Sequence, residues 1–475
     1  MSGARPSEGT PVSASLAEVP QQGLPAAQRW RAMGVLVLGI ALAVLDGTIL
    51  NLALPDIARS FSASAPHAIW VVNAYQIATL VMLLPLATLG DLIGYRRVYL
   101  CGMALFALAS LGAMVAPSLE LLIAARALQG LGAAGVMSVN AALVRLIFAP
   151  GQLGRGMAIN SMVVATASVA GPTVAAAILS VADWPWLFAL NLPLGLLVML
   201  LGRRALPPNV SRAAPGARIA PLDVLLNVLM FALIFLGADR LAVRDAGAAA
   251  LPLDGLALLA AGLLVGAVHV QRQRRRVAPL FPVDLLRIPV FALSMGASVS
   301  AFSAQTLAYL SLPFLLLDSW GRSHLQAGLL ITAWPLAIVA MGPVVARLIG
   351  RVPDGLMGGA GMVLMAFGLS LLALLPDGAS DLSMVWRLAL CGVGFALFQS
   401  PNNHTIVRSA PLSRSGAASG MQGTARLTGQ TLGAVLLAGI FSLWPPQAGQ
   451  GPLIALGLAA VCALAAGVFS VLRVR

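Results

Sequence analysis

Three arginines and one aspartate stand inside long uncharged stretches of this 475-residue sequence, and their chemistry sets the first question. Asp46 follows an apolar run that opens after Arg31, about thirteen residues in, or roughly 20 Å along a helix rising 1.5 Å per residue. An ionised group at the centre of a bilayer costs about 2.5 to 3.5 kcal/mol on insertion scales, so it persists only where it faces protein or water. Among the carboxylates Asp46 is the one read as lying deep within a span. Such a group either takes up and releases a proton or is held permanently by a structural hydrogen bond or ion pair. Arg126 either neutralises Asp46 or an anionic substrate group, or snorkels outward along its stem, as Arg387 is expected to do. Arg426 stands deeper and cannot snorkel so readily; helix packing and a functional role are both open to it. Asn51, Tyr75, Gln76, Gln129, Gln305, Tyr309 and Gln399 are polar groups in apolar surroundings, able to line a cavity or to bond between helices. The pair Gly171-Pro172 removes a backbone hydrogen bond and predicts a bend or close helix approach.

Positioning these groups requires helices in lipid. With 59% hydrophobic and 9% charged residues and a mean hydropathy of +0.92, the chain cannot cover a water-facing surface and reads as an all-α polytopic membrane protein. Runs of about 20 apolar residues mark fourteen spans. They lie at 33 to 54, 68 to 89, 98 to 116, 120 to 143, 156 to 180, 186 to 202, 221 to 237, 251 to 270, 289 to 317, 325 to 346, 355 to 375, 383 to 406, 416 to 442 and 451 to 472. Residues 1–32 read as a flexible tail without a cleavable signal peptide, so the first span would serve as the insertion signal. Placing both termini in the cytoplasm puts 22 of the 29 arginines in cytoplasmic segments and 4, namely Arg59, Arg240, Arg244 and Arg322, on the other side. One missed helix would invert every later loop, so this bias supports both the orientation and the span count. The net charge of +13 therefore reports topology and gives no reason to expect a nucleic-acid partner.

The chain contains no lysine, which excludes a GxxxxGK[ST] nucleotide loop and with it a conventional nucleotide-driven pump. Cys101, Cys391 and Cys462 fall in apolar runs without metal-ligand spacing, and His67, His269, His324 and His404 are scattered; no metal, cofactor or enzymatic constellation is expected.

The chain also repeats itself. ARALQGLGAAG from Ala125 with VRLIFAPGQLGRGMA matches WRLALCGVGFA from Trp386 with VRSAPLSRSGAASGM, aligning Gly130 and Gly132 with Gly392 and Gly394. LGDLIGYRR from Leu89 pairs with VARLIGRV from Val345. Both displacements are eight spans, which predicts two six-helix bundles separated by two inserted helices. The expected units are a tail over 1–32, an N-terminal bundle over 33–202, linkers with the insert over 203–288, and a C-terminal bundle over 289–475.

These motifs resemble a known family. LDGTILNLALP from Leu45 is similar to the span-one signature of fourteen-span drug:proton antiporters of the major facilitator superfamily. GDLIGYRR from Gly90 resembles that superfamily's loop motif, RALQGLG from Arg126 its span-four motif, Gly171-Pro172 its antiporter motif, and WPWLFALNLPLG from Trp184 the entry to span six. The resemblance implies the major facilitator fold. It also implies Asp46 as a protonation or substrate site, Arg126 as a coupling residue, and Asp91, Arg96 and Arg97 as a conformational latch on the cytoplasmic face. Ala87 and Leu92 replace the usual glycine and arginine of the loop motif, and Ala175-Ala176 the glycine pair after Gly-Pro; Leu92 thins the latch.

The resulting expectation is a monomeric transporter of the bacterial inner membrane that exports amphipathic small molecules as protons enter, with the proton as coupling ion, no cofactor, and a periplasmic adaptor as an optional partner. A dedicated carrier of one metabolite is the alternative, and a non-transporting receptor or scaffold a third reading.

Overall fold

The computed structural model describes residues 23–209, 220–243, 252–276, 279–376, 379–411 and 414–473. Fourteen of its helices are long and apolar enough to cross a membrane. The first six are α1 (Ala26–Ser60), α2 (Ala65–Ile93), α3 (Tyr95–Met114), α4 (Leu119–Ile147), α5 (Arg155–Leu179) and α6 (Pro185–Ala205). Then follow α7 (Pro221–Ala242), α8 (Leu253–Gln273), α9 (Pro289–Ser319) and α10 (His324–Leu348). The last four are α11 (Asp354–Ala373), α12 (Asp381–Ser409), α13 (Ala417–Leu443) and α14 (Gln450–Leu472).

Helices α1 to α6 pack among themselves, and α9 to α14 do the same with equivalent neighbours eight helices later: α3 with α4 as α11 with α12, α2 with α4 as α10 with α12, α1 with α5 as α9 with α13. The repeated Gly-x-Gly motif explains two of these pairs. A Cβ on Gly130 would collide with the carbonyl of Tyr75 in α2, and one on Gly392 with the carbonyl of Trp334 in α10. Gly132 lies against Gly102 and Phe106 of α3, and Gly394 against Gly361 and Met365 of α11. Absent side chains thus let each central helix touch two neighbours backbone to backbone, the usual way helices associate where lipid supplies no hydrophobic drive between them. The two halves meet along two seams, α2 with α13 and α5 with α10. At the second seam Gly328 accepts the close approach of Pro172 and Ala176, and Gly171 accepts Thr48 of α1.

The inserted hairpin packs α8 on α7, and α7 lies against both α2 and α13. Asp239 accepts a hydrogen bond from the Trp70 indole of α2 at 3.0 Å, and the carbonyl of Ala242 accepts one from Ser442 of α13 at 3.2 Å. Here the structure corrects the sequence reading. Helix α7 continues five residues beyond the expected end at 237, so Asp239, like Asp223 at the other end of the same helix, is a buried carboxylate within a span besides Asp46. The tryptophan donor satisfies Oδ2, while Oδ1 is buried without a hydrogen-bond partner among the described residues.

The expected tail also ends sooner. Most of 1–32 lies outside the described residues, but the chain is helical from Ala26. Arg29 bonds the Leu24 carbonyl and Gln152, and Trp30 packs edge-on against Phe148 at 6.3 Å, which anchors this amphipathic first stretch. The turn between α2 and α3 rests on Gly94, whose φ of 100° disfavours any side chain, and Asn209 packs directly over it. The three cysteine thiols are free.

Candidate functional site

Asp46 sits at the centre of a polar network closed to solvent on all sides. Its side chain and that of Arg126 are each 1% exposed, and Arg126 Nη1 donates to Asp46 Oδ2. Gln129, one helical turn after Arg126 on α4, donates to Asp46 Oδ1 at 2.8 Å and to Ser110 Oγ of α3 at 2.8 Å. Its carbonyl oxygen accepts from Arg126 Nη1. Asn191 of α6 donates to the same Asp46 Oδ1 at 2.7 Å. Arg126 is fixed further by a hydrogen bond from Nε to the Val71 carbonyl at 3.1 Å and by the ring of Tyr75, 4.3 Å from its guanidinium carbon. Tyr75 in turn donates to the Ala43 carbonyl at 2.9 Å. Five helices of the first half therefore converge on one carboxylate. Buried pairs of this kind survive only when further hydrogen bonds satisfy the remaining polar atoms, and Gln129, Asn191 and Val71 supply them.

Of the residues singled out in the sequence, Asp46, Arg126, Gln129 and Tyr75 are brought together. Asn51 lies nearby but elsewhere: with Thr48, Pro172, Tyr309, Pro313 and Ile331 it lines a small cavity between the halves, and its Oδ1 has no partner among the described residues. Tyr309 stacks at 5.1 Å on Trp334. Gln76 and Gln305 are buried in α2 and α9, whereas Gln399 is half-buried in α12, apart from the others. Arg387 bonds the Ser383 carbonyl at 2.7 Å and lies over the Trp386 ring at 4.5 Å. Asn191 and Ser110 are contributors that sequence reasoning missed. Asn191 carries a signal, a lone amide in the apolar WPWLFALNLPLG, while a single serine among alanines and leucines gives none.

The charges at the two ends of the bundle differ. On the face away from the termini, Arg59 of α1 bonds Asp318 of α9 at 2.7 Å and also Asp56, and His324 of α10 meets Asp56 Oδ2 at 2.6 Å. These contacts hold one half to the other. On the terminal face Asp91 is exposed and accepts from the Tyr95 hydroxyl at 2.5 Å. The backbone of Arg97 donates to Asn209 at 3.1 Å and its Nη1 to the Ile93 carbonyl at 3.5 Å. Asp91 makes no ion pair with Arg96 or Arg97 here.

Two six-helix halves around internal polar groups, with an insert between them, have the architecture of a membrane transporter. Residues 36–434 and 293–474 match the profile of the Major Facilitator Superfamily, and the chain belongs to that superfamily. It is 49% identical over 461 residues to the "Uncharacterized transporter YebQ" of Escherichia coli (strain K12), covering 96% of this chain and 98% of that protein. It is 33% identical over 436 residues to the "Multidrug efflux pump LfrA" of Mycolicibacterium smegmatis, 89% and 83% of the two chains. With "Multidrug resistance protein Stp" of Mycobacterium tuberculosis it shares 30% over 408 residues, 86% and 75%. A POT family transporter crystallised with a thioalcohol-conjugated peptide superposes with a TM-score of 0.67 over 94% of this chain and 97% of that one at 16% identity, a likeness of fold.

Proposed function

We propose that this transporter exports amphipathic compounds across the bacterial cytoplasmic membrane in exchange for protons, with the terminal face in the cytoplasm. The observation that carries the reading is the Asp46–Arg126 pair, fully enclosed and equipped with two further amide donors. Protonating Asp46 removes the charge that compensates Arg126, and leaving one partner of a buried pair alone costs about 3 to 5 kcal/mol. Occupancy by a proton therefore favours a different arrangement of α1 against α4, which is what coupling to alternating access requires.

In the proposed cycle Asp46 is loaded from outside and releases its proton inward, while substrate and proton favour different states. Each proton moving down 100 mV supplies about 2.3 kcal/mol. The Asp56, Arg59, Asp318 and His324 contacts hold the outer side shut in the present state, and Asp91, Arg96 and Arg97 latch the cytoplasmic side in the other. The names of LfrA and Stp support drug efflux as the direction and purpose.

The test is uptake by inverted membrane vesicles energised with a pH gradient. Wild-type vesicles accumulate substrate and Asp46→Asn vesicles do not; equal uptake by both removes Asp46 from the coupling role.

A further inference from the structure

The three arginines inside the spans are provided for unequally. Arg126 has Asp46, and Arg387 has Ser383. Arg426, in the middle of α13, makes no hydrogen bond or ion pair among the described residues, and its Nε is buried without a partner. An uncompensated guanidinium at this depth is costly unless an anion or water meets it.

Its direction can be read from the helix that carries it. Gly423, three residues before, packs on Leu83 of α2, and Gly429, three residues after, packs on Val299 and Phe302 of α9. Steps of three residues rotate a helix position by about 60°, so Arg426 points midway between the face that meets the first half and the face that meets α9. That direction is the seam between the halves. Gln422 and Gln430 share this stripe at helical spacing, half-buried like Arg426. The Tyr75 hydroxyl of α2 donates to the Ala43 carbonyl at 2.9 Å. Gln76 on the next position of α2 is buried with its Oε1 unpartnered.

We infer that Arg426, with Gln422 and Gln430, forms a recognition site for the acidic group of an anionic amphiphile, a carboxylate, sulfonate or phenolate on an aromatic body. The guanidinium supplies the charge and a planar donor fork that matches such oxyanions, and the two amides donate from one turn on either side. A cationic amphiphile placed in the same seam would meet an unscreened positive charge, so the site also rejects. This inference rests on the export reading and assigns the class of compound carried.

The experiment uses the full-length protein in nanodiscs of zwitterionic phosphatidylcholine, so that no lipid anion competes, and two xanthene dyes of similar size: fluorescein, an anion, and rhodamine 6G, a cation. The expected result is that wild type binds fluorescein at least about tenfold more tightly than rhodamine 6G. Arg426→Gln loses about tenfold or more for fluorescein, and Arg426→Lys, which keeps the charge but not the planar fork, loses less than Arg426→Gln and still binds fluorescein more tightly than rhodamine 6G. Absence of fluorescein binding, equal or stronger binding of rhodamine 6G, or unchanged fluorescein affinity in Arg426→Gln each overturns the inference. If Arg426→Gln does not fold, the wild-type preference and Arg426→Lys decide. A nanodisc holds no proton gradient, so a failure of proton coupling appears only in vesicle flux and a failure of anion recognition only here.

Discussion

Asn191 Nδ2 and Gln129 Nε2 converge on a single oxygen, Asp46 Oδ1, at 2.7 and 2.8 Å, while the other carboxylate oxygen belongs to Arg126. Both amides hold the Asp46 carboxylate in place, and a hydrogen bond to a charged group is worth about 1.5 to 3 kcal/mol. Asn191→Leu should therefore lower stability by about that amount, read by thermal unfolding in detergent. An unfolding temperature equal to wild type would remove Asn191 from the network that fixes Asp46.

Removing the charges one at a time and together separates structure from coupling. Arg126→Gln leaves Asp46 buried without its cation and should lower stability by about 3 to 5 kcal/mol. The double variant Asp46→Asn/Arg126→Gln should recover much of that loss while remaining inactive in transport. Thermal unfolding in detergent, set beside vesicle uptake, reads both quantities.

The Gly-x-Gly repeat predicts matched lesions. Gly130→Ala and Gly392→Ala each thrust a methyl into a neighbouring carbonyl and should cost about 1 to 3 kcal/mol. Gly457→Ala, with nothing within 4 Å of the added atom, should leave unfolding temperature unchanged or slightly raised.

The cross-half contacts around Asp56 are partly exposed, with Arg59 57% accessible, so each contributes no more than about 1 kcal/mol. Even so, a loss of about 1 kcal/mol shifts a two-state ratio about fivefold. Asp318→Asn should therefore populate states separated on the face away from the termini. Spin labels on Ala63→Cys and Leu325→Cys, placed after Cys101, Cys391 and Cys462 are replaced by serine, should show a longer-distance component that is small in the parent.

The membrane class, the span count and the duplicated halves were legible because they rest on periodic features: apolar run length, the arginine bias, and a glycine pair recurring eight spans later. Asp46 and Arg126 were legible because charge is rare in such runs. What escaped the sequence was relational. Nothing in one chain's order says that Asn191 and Ser110 come to Asp46, because the residues meet through tertiary packing of α3, α4 and α6 around α1. Asp239 was hidden for a simpler reason: charge near the end of an apolar run reads as a loop until a distant residue, Trp70, is seen to bond it. The alternatives left open for Arg126 and Arg387 also turned on partners, an aspartate from another helix in one case and a serine one turn away in the other.

Helix α7 lies over the α2–α13 seam and touches both halves, whereas among the described residues no added helix covers the α5–α10 seam. The two flanks therefore differ in what they present to lipid: the inserted hairpin over one seam, and beside the other the exposed apolar side chains Met162 of α5 and Leu329 and Leu336 of α10.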